Sequence, residues 1–147
     1  MKISELINVG NIVMLDNIFS KKQLLQNMVA MISETSKVEE SALFEVVWER
    51  ENLGSTGFGR GTALPHGRIQ GLKKLHGAFA KLKKAIDFGS ADASPVDLVF
   101  LLTSPEDCGA DHLTALAEIS RILKDDKQCQ RLRSASSQKE IFDILNS

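Results

Sequence analysis

Cysteine is scarce in this chain of 147 residues: there are 2, Cys108 and Cys129, far apart and in no CxxC pair. Neither a zinc site nor a disulfide framework is expected from that usage. An excess of charge of one sign is also missing. The 18 Lys and Arg against 19 Asp and Glu leave a formal net charge of -1, with a pI near 6.3. No global basic field exists to hold nucleic acid, and no acidic tail is present. The local basic runs (Lys73-Lys74, Lys81 to Lys84, Arg131 to Arg133) read as solvated faces. The longest apolar run, Leu98 to Leu102, is far too short to cross a bilayer. No long apolar stretch follows Met1-Lys2-Ile3-Ser4-Glu5, so no signal peptide is visible. A cytoplasmic location without membrane insertion is the expectation.

Familiar catalytic motifs are missing as well. There is no GxxxxGK[ST], so the glycine-rich stretch is not a Walker loop. Gly57-Phe58-Gly59-Arg60-Gly61 does not complete GxGxxG, and no strand signal leads directly into it, which argues against a dinucleotide fold. Ser55 has no GxSxG context. The 3 histidines, scattered without ligand spacing, give no support to a metal site.

What is present reads as one globular domain over residues 1–147. Its hydrophobic fraction is 43% and its charged fraction 25%. Ile12-Val13-Met14-Leu15 reads as a strand. Ser20 and Gln23 form a capping-box pair, and Phe19 is placed to staple onto Leu24. Leu24, Leu25, Met28, Met31 and Ile32 then recur at helical spacing. Ser36 and Glu39 suggest a second cap, for a helix that turns Leu43, Val46 and Val47 inward and ends near Gly54. Leu75 to Leu82 has the character of a strand. Val96 to Leu102 is apolar at both parities, the mark of a central strand covered on two faces; Pro105 ends it. Leu113, Leu116, Ala117, Ser120 and Leu123 mark a helix face. Asp125-Asp126 and Ser137 with Glu140 cap two short final helices. The fold class expected is α/β: a three-layer sandwich with a small mixed sheet and helices on both faces.

The densest functional signal is Gly54-Ser55-Thr56-Gly57-Phe58-Gly59-Arg60-Gly61-Thr62-Ala63-Leu64-Pro65-His66-Gly67. Clustered glycines suggest that the backbone approaches a group closely, and a phosphoryl group suits bare N–H donors. His66, between Pro65 and Gly67, is then a candidate nucleophile, since a free imidazole is mostly neutral at neutral pH. His112 stands near a helix start, where the positive dipole end disfavours imidazolium, so it is a candidate neutral donor to phosphoryl oxygens. A surface helix histidine is the competing reading. Arg50 offers a planar cation, or alternatively a surface ion pair with Glu49 or Glu51. The Ser55 and Thr56 hydroxyls fit either phosphate oxygens or turn backbone. His76 reads as structural, and Arg60 shares Arg50's ambiguity.

The run from Gly54-Ser55-Thr56-Gly57 to Ala63-Leu64-Pro65-His66-Gly67 resembles the signature of the fructose/mannitol-type enzyme IIA domains of the phosphoenolpyruvate-dependent phosphotransferase system. The Val96-Asp97-Leu98-Val99-Phe100 strand and the helix at His112-Leu113 and Leu116-Ala117 are also similar to that family. The resemblance implies an α/β sandwich in which His66 is phosphorylated, a candidate tele-phosphohistidine. It implies that His112 supports the phosphoryl group and that Arg50 lies near it. The phosphoryl-binding loop would comprise Ser55, Thr56, Gly57, Gly59 and Gly61. Phe58 and Leu64 are the expected docking contacts. Arg60 receives no role.

Within the family the chain resembles the nitrogen-related enzyme IIA proteins, because it is short and because of Cys129-x-Arg131-Leu132-Arg133-x-Ala135. The implied activity is that of a phosphotransferase component without cofactor, receiving phosphate from an HPr/NPr-like carrier. It would regulate targets (a kinase, channel or enzyme) by its phosphorylation state. The alternative is a sugar-specific IIA that donates phosphate to a separate IIB component.

Overall fold

Strand β6 (Val96–Pro105) is the axis of the fold, and its sequence shows why. Leu98, Phe100 and Leu102 point to one side and Val99 and Leu101 to the other, all of them buried. Side chains alternate along a strand, so apolar residues at both parities need cover on both faces. That cover comes from two helical layers in the computed structural model, which describes residues 1–147.

On one face lie α1 (Lys21–Ser36) and α2 (Glu40–Leu53). They pack Leu24, Leu25, Met28, Leu43 and Val47 against Val99 and Leu101. On the other face lie α3 (Asp111–Leu123), α4 (Asp126–Ser134) and α5 (Gln138–Leu145). These bring Ile119, Ile122, Leu132 and Ile141 to Leu98, Phe100 and Leu102. The expected three-layer α/β sandwich is therefore present.

The mixed sheet contains six strands. The others are β1 (Ile12–Leu15), β2 (Gly57–Gly59), β3 (Thr62–Ala63), β4 (His66–Ile69) and β5 (His76–Ile86). The order is β1-β5-β6-β3-β2, and β4 also pairs with β6. Both β3 and β4 run parallel to β6 along one edge, at Leu98–Val99 and at Leu102–Pro105. Leu64 and Pro65 lie between them, and the Pro65 carbonyl still accepts from Leu102 N–H at 3.0 Å. The glycine-rich segment is thus a string of very short strands rather than a free loop.

Helix punctuation matches the sequence in most places. Ser20 accepts from Gln23 N–H, Asp125 from Lys127 and Gln128 N–H, and Ser137 from Glu140 N–H. Gln23 closes its box one residue early, accepting from Phe19 N–H at 2.9 Å.

Several expectations need correction. Phe19 is 74% exposed and makes no staple. Ser36 ends α1 and accepts from Val38 N–H, while α2 begins after Glu39 with no side-chain cap. Val46 is only half-buried. The buried face of α3 is His112, Ala115, Ile119, Ile122 and Leu123, leaving Leu113 65% exposed. Two basic residues also leave the solvated faces assigned to them. Lys81 Nζ donates to the Arg133 and Ala135 carbonyls, closing the end of α4, and Arg133 forks onto Asp97.

Leu101 is fully buried in β6. Leu101→Ala is expected to cost about 2–5 kcal/mol by urea unfolding. Removing the α5 cap with Ser137→Ala should cost about 1 kcal/mol. Equal losses would contradict this division between core and cap.

Candidate functional site

The site begins at the end of α2. Glu51 has 4% exposure although it sits in the helix's last turn. Its carboxylate accepts from Thr56 N–H at 3.0 Å and from Thr56 Oγ1 at 2.6 Å. Lys21 Nζ, at the start of α1, completes the set at 2.9 Å and also lies 4.5 Å from the Phe88 ring centre. The Thr56 carbonyl then accepts from Leu64 N–H at 3.0 Å. The Leu64 carbonyl in turn meets His66 Nδ1 at 2.8 Å. A chain of hydrogen bonds therefore runs from two helix ends to the imidazole.

His66 is the first residue of β4, in register with Leu102 on the face covered by α3. His112, the second residue of α3, brings its ring to 5.7 Å from that of His66, tilted by 54°. The two candidate histidines are thus side by side. His112 Nδ1 lies 2.6 Å from Ser104 Oγ. His66 is half-buried at a cavity of about 250 Å³, lined also by Arg50, Ser55, Thr56, Gly57, Phe58, Leu64, Leu116 and Ser120. Arg50 is held there by donating to the Gly54 carbonyl at 2.8 Å.

Both imidazoles favour the neutral form. Burial lowers the His66 pKa; the Leu64 hydrogen bond opposes this, Arg50 adds to it and Glu51 opposes it. Burial, with help from Arg68 and His66, lowers that of His112 to about 4. A neutral imidazole has one N–H and one bare nitrogen. A carbonyl oxygen can only accept, so His66 carries its proton on Nδ1. Its Nε2 lone pair is left free.

Other expected site residues have different duties. The Ser55 hydroxyl donates to the Phe88 carbonyl and accepts from Gly57 N–H, and the Thr56 hydroxyl is taken by Glu51. Gly59 and Gly61 lie outside the cavity lining; they have φ of 90° and 84° and form a turn with Arg60. A Cβ on Gly59 would meet Asp92, and one on Gly61 would meet Arg133. The turn's left-handed backbone, not anion contact, accounts for these glycines. Gly67 faces Val46 at 3.0 Å from its would-be Cβ, so its missing side chain lets α2 pack close to β4.

Leu64 is 2% exposed and belongs to the core, which corrects its docking assignment. Phe58 is 39% exposed at the cavity, which the half-buried Leu116 of α3 also lines. Arg60 pairs with Asp126 at the surface, and His76 is buried in β5.

Sequence reading missed Glu51, Lys21, Ser104 and Arg68. Glu51 alone left a signal: an acidic residue in a helix's last turn opposes the macrodipole and needs a compensating partner.

In the folded chain His112 stays neutral down to about pH 4, while an unfolded histidine binds its proton near its ordinary value of 6.5. Between those values the unfolded state holds more protons, so stability rises with pH and falls on acidification. His66 adds to the same trend. Urea midpoints of the wild type should fall through this window, and His112→Asn should flatten that slope. Equal slopes would contradict a neutral His112.

The sequence model of the family "Phosphoenolpyruvate-dependent sugar phosphotransferase system, EIIA 2" matches residues 5–147. A "Nitrogen regulatory protein" of Bradyrhizobium diazoefficiens is 45% identical over 145 residues, covering 99% of this chain and 95% of the relative. The crystal structure of nitrogen regulatory protein IIA-Ntr from Neisseria meningitidis superposes with a TM-score of 0.92 at 34% identity, covering 97% and 98% of the two chains. The complex of enzyme IIAMTL and phosphorylated enzyme IIBMTL from Escherichia coli shares the fold, at TM-score 0.79 and 20% identity, over 95% and 98%. With both its fold and nearly its whole length matched, the chain belongs to the EIIA type 2 family of phosphotransferase-system components and is similar to its nitrogen-regulatory IIA members.

Proposed function

We propose that this chain is a phosphoryl carrier and regulator of a nitrogen-related phosphotransferase system. His66 Nε2 accepts a phosphoryl group from the phosphohistidine of an HPr/NPr-like carrier. The observation that carries this reading is the 2.8 Å contact of Nδ1 with the Leu64 carbonyl. It leaves Nε2 bare at the open cavity, so the product is a tele-phosphohistidine. The N–P bond of the donor breaks as the Nε2–P bond forms, and the donor imidazole leaves with its electron pair. The His66 proton stays on Nδ1, still given to Leu64.

Such a transfer relies on positioning and electrostatics more than on covalent help. Donor and acceptor are both imidazoles, so the exchange is close to balanced. A site that held phosphate about 4 kcal/mol too well would retain it roughly a thousandfold. Two neutral rings with one guanidinium, Arg50, suit that need. The exposed Phe58 and the half-buried Leu116, both lining the cavity beside His66, suit a partner that docks there and leaves again. Phosphorylation places a dianion at the centre of that face, and a regulated target would sense it by charge.

A second reading is favoured by the shared fold with a mannitol enzyme IIA that was solved with its phosphorylated IIB. In it, His66 passes phosphate to a IIB component during sugar uptake. Transfer assays with purified carriers and a IIB domain separate the two. Efficient passage to IIB supports the second, while binding of a regulatory target in only one phosphorylation state supports the first.

His66→Ala is expected to abolish labelling from phosphoenolpyruvate, enzyme I and carrier. Alkali-stable label remaining on that variant would place the acceptor elsewhere. In His112→Ala, His66 should still take label but pass it on about 10²–10³ times more slowly, the loss typical of one oxyanion-type donor. Unchanged onward transfer would remove His112 from the mechanism.

A further inference from the structure

Ser104 stands at the end of the row Leu98, Phe100, Leu102 on the α3 side of β6. The strand's period of two keeps it on that face. There the row changes from hydrocarbon to hydroxyl. Ser104 is 0% exposed, and His112 Nδ1, at 2.6 Å, is the only hydrogen-bond partner of its Oγ.

A hydroxyl has one proton to give and two lone pairs to receive with. If His112 donated from Nδ1, the Ser104 proton would be buried without an acceptor, the arrangement that burial penalises. If Ser104 donates, its proton is satisfied and only an oxygen lone pair is spare. The single proton of a neutral His112 then belongs on Nε2.

We infer that Ser104 fixes the tautomer of His112 by donating to Nδ1, so that His112 presents Nε2–H as a hydrogen-bond donor to the phosphoryl group on His66. Only the last step rests on the phosphocarrier reading. The paired rings are then set in opposite senses. A carbonyl acceptor behind His66 leaves its Nε2 bare, and a hydroxyl donor behind His112 leaves its Nε2 protonated. One ring is a nucleophile and the other a donor, without any net charge. Ser104 touches neither the nucleophile nor the transferred group. It is a positioning residue that acts through His112.

The test joins nitrogen-15 NMR of histidine-labelled protein with transfer of phosphate from His66 back to the dephosphorylated carrier. In the unphosphorylated wild type at neutral pH, His112 should be protonated on Nε2. Ser104→Ala should move the population toward Nδ1–H and slow return transfer about 10- to 100-fold, as loss of a supporting partner does elsewhere. Labelling of His66 should survive. Ser104→Thr, which keeps the hydroxyl, should restore both properties.

A wild-type His112 protonated on Nδ1 overturns the inference without any variant. So does a Ser104→Ala protein with wild-type tautomer and transfer rate. Slow transfer with the tautomer unmoved, not repaired by Ser104→Thr, marks a packing role and overturns it too. If wild-type His66 takes no label, the phosphocarrier reading fails, and the tautomer measurement still decides the role of Ser104.

Discussion

A buried carboxylate holds the site in place. Glu51 ties the start of α1, through Lys21, and the glycine-rich segment, through Thr56, to the end of α2. Its side chain is 1% exposed and that of Lys21 20%, so the pair is largely removed from water. Buried ion pairs are poor sources of net stability, but breaking one by removing a partner is strongly destabilising, typically by about 3–5 kcal/mol. The value of Glu51 is therefore geometric. Both of its oxygens are used, and Thr56 has no freedom left. The hydrogen bonds that follow, Leu64 N–H to the Thr56 carbonyl and His66 Nδ1–H to the Leu64 carbonyl, inherit that fixity. The tautomer of His66 is set by a carbonyl whose own position depends on a carboxylate several residues earlier.

This arrangement also explains the glycine-rich segment. Its hydroxyls and most of its glycines serve the chain itself. Ser55 ties it to Phe88, Gly59 and Gly61 turn it back beside Asp92 and Arg133, and Gly67 lets α2 approach β4. A histidine held with one ring nitrogen bonded and the other bare needs a rigid backbone on its bonded side. Clustered glycines are read most easily as space for a ligand. Here they are largely what a close-packed, sharply turning ribbon requires.

Legibility in the sequence followed the range of the forces involved. Strand β6 was readable because double coverage leaves apolar residues at both parities. Helices α4 and α5 were readable because Asp125 and Ser137 act within three residues of themselves. The face of α3 was not readable. Leu113, Leu116, Ala117 and Ser120 form one stripe at helical spacing, and His112, Ala115, Ile119 and Ile122 form another. Periodicity alone gives the two equal standing. The second stripe packs on the sheet and carries His112 inward, while the first faces outward and contributes Leu116 and Ser120 to the cavity rim. The His66–His112 pairing was reached through family resemblance. Ser104 and the Leu64 carbonyl left no local trace, because each acts across a tertiary contact.

The electrostatics of the site follow from its place at the edge of the core. Burial, the first cause of the lowered pKa at both histidines, is also what packs them against the α3-facing side of the sheet. A charged pair of rings there would repel each other and pay for desolvation twice. A neutral pair pays neither cost, yet still has a lone pair and a proton to offer. Arg50 lines the open cavity with His66, where solvent weakens its field. In the proposed transfer, a docking protein that displaced that water would strengthen the guanidinium's pull on a phosphoryl dianion. Stabilisation of the group in flight would then depend on the partner's presence, and a carrier that parts from its donor would not be left holding phosphate too tightly.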